Sequence, residues 1–152
     1  MKVLIGLLFL TTLILKDSQA QSKAANNISN QPVWGPIGYN YARFYYLPEL
    51  DMYYDVNQRN YIYQENKQWI YINHLPNRFR NYDLFKGYKV VLNNDHPFQN
   101  NANHIIKYKS YKNNHQQAAI IYSNDKKYHV IKGHPRNNDT NGKNGFKKNQ
   151  KN

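Results

Sequence analysis

The sequence predicts a mostly β fold: a short antiparallel meander of hairpins, one short helix or 3-10 segment, and a disordered C-terminal tail. Three observations predict it. Tyr, Phe and Ile, which suit a pleated and half-buried surface, crowd the stretch from Arg43 to Asn93. Clusters of Asn, Gln, Lys and Asp interrupt that stretch where tight turns would fall. From Gly133 onward the composition drops to Asn, Lys and Gly, with too little apolar surface to offset the entropy of ordering.

The elements follow in chain order. Met1 to Ala20 has the pattern of a secretory signal peptide: Lys2 gives a positive start, Val3 to Leu15 is apolar, and Ser18 and Ala20 are small residues flanking a cleavage point. The apolar run is shorter than the roughly 20 residues that span a bilayer as a helix. The expected location is therefore periplasmic or secreted, with cleavage after Ala20 and no stable membrane insertion afterwards. Residues 21–32 are polar and aperiodic and read as a flexible lead-in. Residues 33–132 form a single β-rich aromatic domain, better defined over 33–93 and less regular over 94–132. Residues 133–152 are a disordered basic tail.

Within the domain, Pro32 to Tyr39 holds two Pro and two Gly around Trp34, a rigid turning segment whose Trp plugs one end of the core. Phe44 to Leu47 and Asp51 to Val56 are extended. Tyr61 to Gln64 and Gln68 to Ile72 form a hairpin if Asn66-Lys67 is its two-residue turn. That turn sets Tyr63 opposite Ile70, Tyr61 opposite Ile72, Ile62 opposite Tyr71 and Gln64 opposite Trp69. Both faces are then aromatic, so either both are covered or one is an exposed aromatic surface. Pro76 and Gly87 bracket a short helix over 77–86, and Gly87 to Leu92 is a strand. Pro97 to Asn103 is loop-like, and Ile105 to Tyr111 starts apolar and then alternates. Ala118 to Tyr122 and Tyr128 to Ile131 are candidates for a further hairpin. A weak echo links Leu47-Pro48 and Tyr54-Asp55 to Leu75-Pro76 and Tyr82-Asp83.

Composition excludes several chemistries. The chain has no Cys, which removes disulfides, thiol nucleophiles and thiolate metal sites. Between Val33 and Lys132 there is no Thr, and Ser110 and Ser123 are the only Ser; neither sits in a glycine elbow. No phosphate loop or dinucleotide fingerprint occurs, so no cofactor is expected. Glu49 and Asp55 could pair as acid and base, but beside turns carboxylates commonly cap backbone N–H groups. The six His residues lack the spacing of a metal motif.

The formal net charge of +12 and 15 Tyr point instead to binding. Aromatic rings interleaved with cations stack sugars or bases while the cations hold anions. The candidate ring surface is Tyr53, Tyr61, Tyr63, Trp69 and Tyr71, with Arg59, Lys67, Lys107 and Lys109 as charge partners. The competing reading makes Tyr a core filler whose hydroxyls reach solvent at the edges. The function expected is that of an exported, non-enzymatic module that binds or supports structure at the cell envelope, with an envelope glycan or other anionic polymer as partner. Two alternatives stand beside it: a binder of nucleic acid or another anionic polymer, and a metal- or carboxylate-dependent hydrolase.

Trp34-Gly35-Pro36-Ile37-Gly38-Tyr39, the run from Tyr45 to Val56, and the segments Arg80 to Leu84 and Gly87 to Val91 resemble a group of small secreted or periplasmic proteins of Bacteroidetes-type bacteria, uncharacterised in activity. The resemblance covers about Val33 to Asn93. It implies export and a compact aromatic β-module, and carries over no catalytic or binding residue.

Overall fold

A computed structural model describes residues 27–137. The signal peptide, the first part of the lead-in and the tail beyond residue 137 lie outside the described residues.

Five antiparallel strands form one open sheet: β1 Phe44–Leu47, β2 Met52–Asp55, β3 Asn60–Glu65, β4 Gln68–Ile72 and β5 Val90–Leu92, in the order β4-β3-β2-β1-β5. The first four are a meander joined by tight turns. Asp55 closes the β2–β3 turn by accepting the Asn57 and Gln58 N–H groups at 2.9 Å each. Asn66 and Lys67 take left-handed φ of 50° and 64°, as a two-residue type I′ hairpin requires. The β3–β4 register pairs Tyr63 with Ile70, Tyr61 with Ile72, Ile62 with Tyr71 and Gln64 with Trp69, as the sequence predicts.

Alternation along these strands loads both faces with rings, and both are covered. One face carries Tyr45, Leu47, Met52, Tyr54, Tyr61 and Tyr63, packed under Trp34, Leu75, Phe79, Tyr82 and Leu84. The other carries Phe44, Tyr46, Tyr53 and Ile62, packed under Phe98 and Tyr108. A helix, α1 Asn101–Lys107, lies against this second face and buries His104 among Tyr46 and Tyr53. A third cluster of Ile120, Tyr128 and Ile131 meets Ile28 and Val33.

Several expectations change. The segment read as loop and extended chain over 97–111 contains α1 and flanking 3-10 turns, because His104 and Tyr108, four residues apart, both reach Tyr46. Residues 77–86 hold only a 3-10 turn at Asn77–Phe79; Asp83 then accepts from the Phe85 N–H and turns the chain. The strand before Leu92 starts at Val90, since the Gln117 side chain takes both the N–H and the carbonyl of Lys89. No hairpin joins 118–122 to 128–131. Instead the Ile37, Ile120 and Ile121 N–H groups bond to Ala118, Gly35 and Val33 carbonyls, so a distant partner displaces the local one. The echo is not structural, because Tyr54 lies in a strand and Tyr82 lies in no regular element.

The ordered body also exceeds its expected limits. Asn27 and Gln31, assigned to the lead-in, are buried, and the Asn27 side chain accepts from Ala42 N–H at 2.7 Å. His134 and Asn137, assigned to the tail, are buried as well.

Candidate functional site

A cleft of about 250 Å³ is lined by the Ser29 to Trp34 segment, Tyr54, Arg59, Ile131 and Lys132. Its walls come from the sequence step by step. A 3-10 turn at Ile28–Asn30 leads into Gln31, whose buried Oε1 accepts from the Tyr45 hydroxyl at 2.9 Å. Gly35 then donates to the Pro32 carbonyl at 2.8 Å and closes a turn. A Cβ at Gly35 would meet the Tyr45 hydroxyl at 2.7 Å, so the close approach depends on glycine. This turn presents Trp34 edge-on to Tyr45 and Tyr54, with ring centroids 5.6 and 4.8 Å away.

Two cations flank this aromatic wall. Arg59 sits in the β2–β3 turn with φ of 56°, held by its N–H on the Asp55 carbonyl at 2.8 Å. Lys132 follows the buried Ile131. Both are exposed, and neither joins an ion pair among the described residues. Burial pushes the Tyr54 hydroxyl up from its ordinary value, and the Arg59 charge opposes that shift. The arrangement is an aromatic wall beside two cations that join no ion pair among the described residues. It suits a ligand with a flat apolar face and a negative substituent.

The expected site residues do not converge. Tyr53, Tyr61 and Tyr63 are buried and serve the core. Tyr61 and Tyr63 lie on one face and Tyr53 on the other, because successive strand side chains alternate. Trp69 and Tyr71 lie on the Tyr53 face beside Phe98, with centroids 5.3 and 6.0 Å from that ring, and Tyr71 is exposed. Arg59 and Lys67 occupy turns at opposite ends of β3. Lys107 covers Tyr108 at 5.2 Å and Lys109 follows it in a 3-10 turn, far along the chain from either. Of the nine residues, only Arg59 lines the cleft. Trp34, Tyr54 and Lys132 were missed. The Pro and Gly around Trp34 signalled a fixed ring, but no local pattern linked Lys132 to it.

Other chemical clusters are braces. Tyr46 and Asn101 donate to Asp51 at 3.0 and 2.8 Å, and the Tyr53 hydroxyl meets His104 Nδ1 at 2.9 Å. His104 is buried, and desolvation first, then Lys107, lowers its pKa. Glu49 and Asp55 do not pair: Glu49 accepts from Tyr82 at 2.5 Å and from Asn113 N–H at 3.1 Å, while Asp55 caps its own turn. Among the described residues no three His, Asp or Glu side chains are grouped to hold a metal ion.

No helix among the described residues is long and apolar enough to cross a membrane. Compared with known proteins, the chain matches no family model, no curated protein and no solved structure.

Proposed function

We propose that the protein is an exported, non-enzymatic binding module of the cell envelope, and that the Trp34–Tyr54 cleft takes an acidic sugar of an envelope glycan. One observation carries this reading: Arg59 and Lys132 stand unpaired beside the aromatic wall of a cleft. A sugar ring packs its C–H face on such a wall while a carboxylate meets the two cations. The leading segment Met1 to Ala20 supports export.

Titration calorimetry with an oligogalacturonate, set against its methyl ester of equal length, tests the proposal. The acidic oligomer binds, and esterification or Arg59→Gln weakens it about tenfold, the scale of one charge-assisted hydrogen bond. Equal affinity for the ester, or an unchanged Arg59→Gln variant, refutes it. A nucleic-acid ligand is a second reading, favoured by the net charge of +12. It requires affinity to fall linearly with the logarithm of salt, at a slope set by the phosphates neutralised.

A further inference from the structure

Tyr88 and Tyr111 stack face to face, with ring centroids 4.3 Å apart and planes within 2° of parallel. Tyr88 precedes β5, and Tyr111 ends the 3-10 turn after α1. Each is half-buried, so the pair is fixed by its surroundings yet open to solvent on one side. Burial first, and then the neighbouring Tyr111 phenol, push the Tyr88 hydroxyl up from its ordinary value. The parallel stack therefore holds the two phenols in van der Waals contact.

No other tyrosine pair among the described residues combines these features. Tyr45–Tyr54 and Tyr46–Tyr53 lie within the core, Tyr54–Tyr61 is both buried and tilted by 57°, and Tyr108–Tyr111, though half-buried, is 6.2 Å apart with planes 26° from parallel. The exposed Tyr71 contacts Phe98 rather than a tyrosine. The chain also has no Cys, so it has no disulfide with which to fix its loops outside the cell.

We propose that Tyr88 and Tyr111 are an oxidative cross-linking site, joined as dityrosine when the exported protein meets hydrogen peroxide and a haem peroxidase. Each phenol loses one electron and its hydroxyl proton. The two phenoxyl radicals form one bond between ortho carbons, and each ortho hydrogen then moves to the phenol oxygen. The protein loses two hydrogens, and hydrogen peroxide takes up two electrons and two protons to leave as two waters. Contact within one chain favours this pair over encounters between chains, because a held pair has a high effective concentration. The link ties β5 to the segment following α1.

The test treats the dilute full chain with peroxidase and hydrogen peroxide. The expected product is a monomer with dityrosine fluorescence, lighter by two hydrogens. After trypsin, Gly87-Tyr88-Lys89 is joined to Ser110-Tyr111-Lys112. Tyr88→Phe and Tyr111→Phe, which keep the stacked ring, each abolish the monomeric product, while Tyr122→Phe leaves it unchanged. Circular dichroism confirms that the variants fold. Dityrosine confined to covalent dimers, a monomer link mapped to another pair, or an undiminished yield in Tyr88→Phe overturns the proposal. Tyr88→Phe leaves cleft binding intact, so this outcome is independent of the glycan reading.

Discussion

Lys89 is fully buried, and its ammonium reaches no carboxylate; it donates to the Leu84 carbonyl at 2.8 Å and the Gly87 carbonyl at 2.7 Å. Burial pushes its pKa down from 10.5 to about 8, opposed by Asp83. The unfolded amine therefore holds its proton more tightly than the folded one, and stability rises with pH between those two values. The magnitude is about 2.5 kcal/mol between about pH 7 and pH 10, at 1.36 kcal/mol for each full unit of difference in titration. Lys89→Met keeps the stem and removes the titration. The carbonyls it leaves without a donor cost the same at every pH and drop out of the comparison. Buried Tyr45, Tyr46, Tyr53 and Tyr61, whose pKa values are raised by burial, act with the opposite sign above about pH 10, and both proteins contain them. Urea unfolding across this range measures the difference: the parent gains about 2.5 kcal/mol relative to the variant. Parallel stability curves for the two proteins would refute the reasoning and show that the two carbonyls fully compensate the buried charge.

Three further outcomes follow from the same geometry. Tyr45→Phe strips the donor from buried Gln31 Oε1 and costs about 1–3 kcal/mol in thermal or urea unfolding, with weakened cleft binding because Gln31 anchors its wall. His104 has a lowered pKa, so the unfolded chain protonates first and stability falls as pH drops below about 6.5; in His104→Gln this acid limb flattens, which urea unfolding at pH 5 and pH 7 resolves. Lys67→Gly relieves a left-handed non-glycine residue in the hairpin and raises stability by up to about 1 kcal/mol, measured by the urea midpoint, with cleft binding unchanged.

Where the fold was legible, the information was local. Phe44–Leu47 and Gln68–Ile72 match their expected bounds, and the β3–β4 register follows from Asn66-Lys67 alone, because a two-residue turn leaves one pairing. What escaped was decided by distant partners. Asn101–Lys107 has weak helix formers, and its stability depends on His104 and Tyr108 finding Tyr46, more than 50 residues earlier. Ala118–Ile121 is an apolar run suited to a hairpin strand, yet its hydrogen bonds go to Val33–Ile37. The site was partly legible for the same reason. Arg59 announced itself beside a turn, whereas the burial of Tyr53 depends on Phe98 and α1, which no pattern near Tyr53 reports. The ring surface expected on β3 is a core face because Trp34, Phe79 and Tyr82 cover it.

Tyrosine does two jobs in this fold, and they separate physically. The rings fill the space between sheet and covering segments, as Leu or Phe would. The hydroxyls, expected at solvent-facing edges, point inward and tether what the sheet does not hold. Tyr45 holds Gln31 of the N-terminal segment, Tyr46 holds Asp51 of the β1–β2 turn, and Tyr53 holds His104 of α1. Tyr82 ties the 77–87 segment to Glu49, and Tyr128 accepts from Gly38 N–H at 2.8 Å across the chain. A cysteine-free chain thus fixes five separate segments through tyrosine hydroxyls, with buried hydrogen bonds at Tyr45 and Tyr53 and part-buried ones at Tyr46, Tyr82 and Tyr128, each on a ring packed in or against the core. The entropy of placing the donor or acceptor is spent once, on packing, so each hydroxyl bond needs little further ordering. The tethers lie on different segments and share few partners. A Phe substitution at Tyr82 should therefore add nearly independently to one at Tyr45 or Tyr128, while Tyr46 and Tyr53, whose rings meet at a 40° tilt and whose hydroxyls both join the Asp51–Asn101 network, should not.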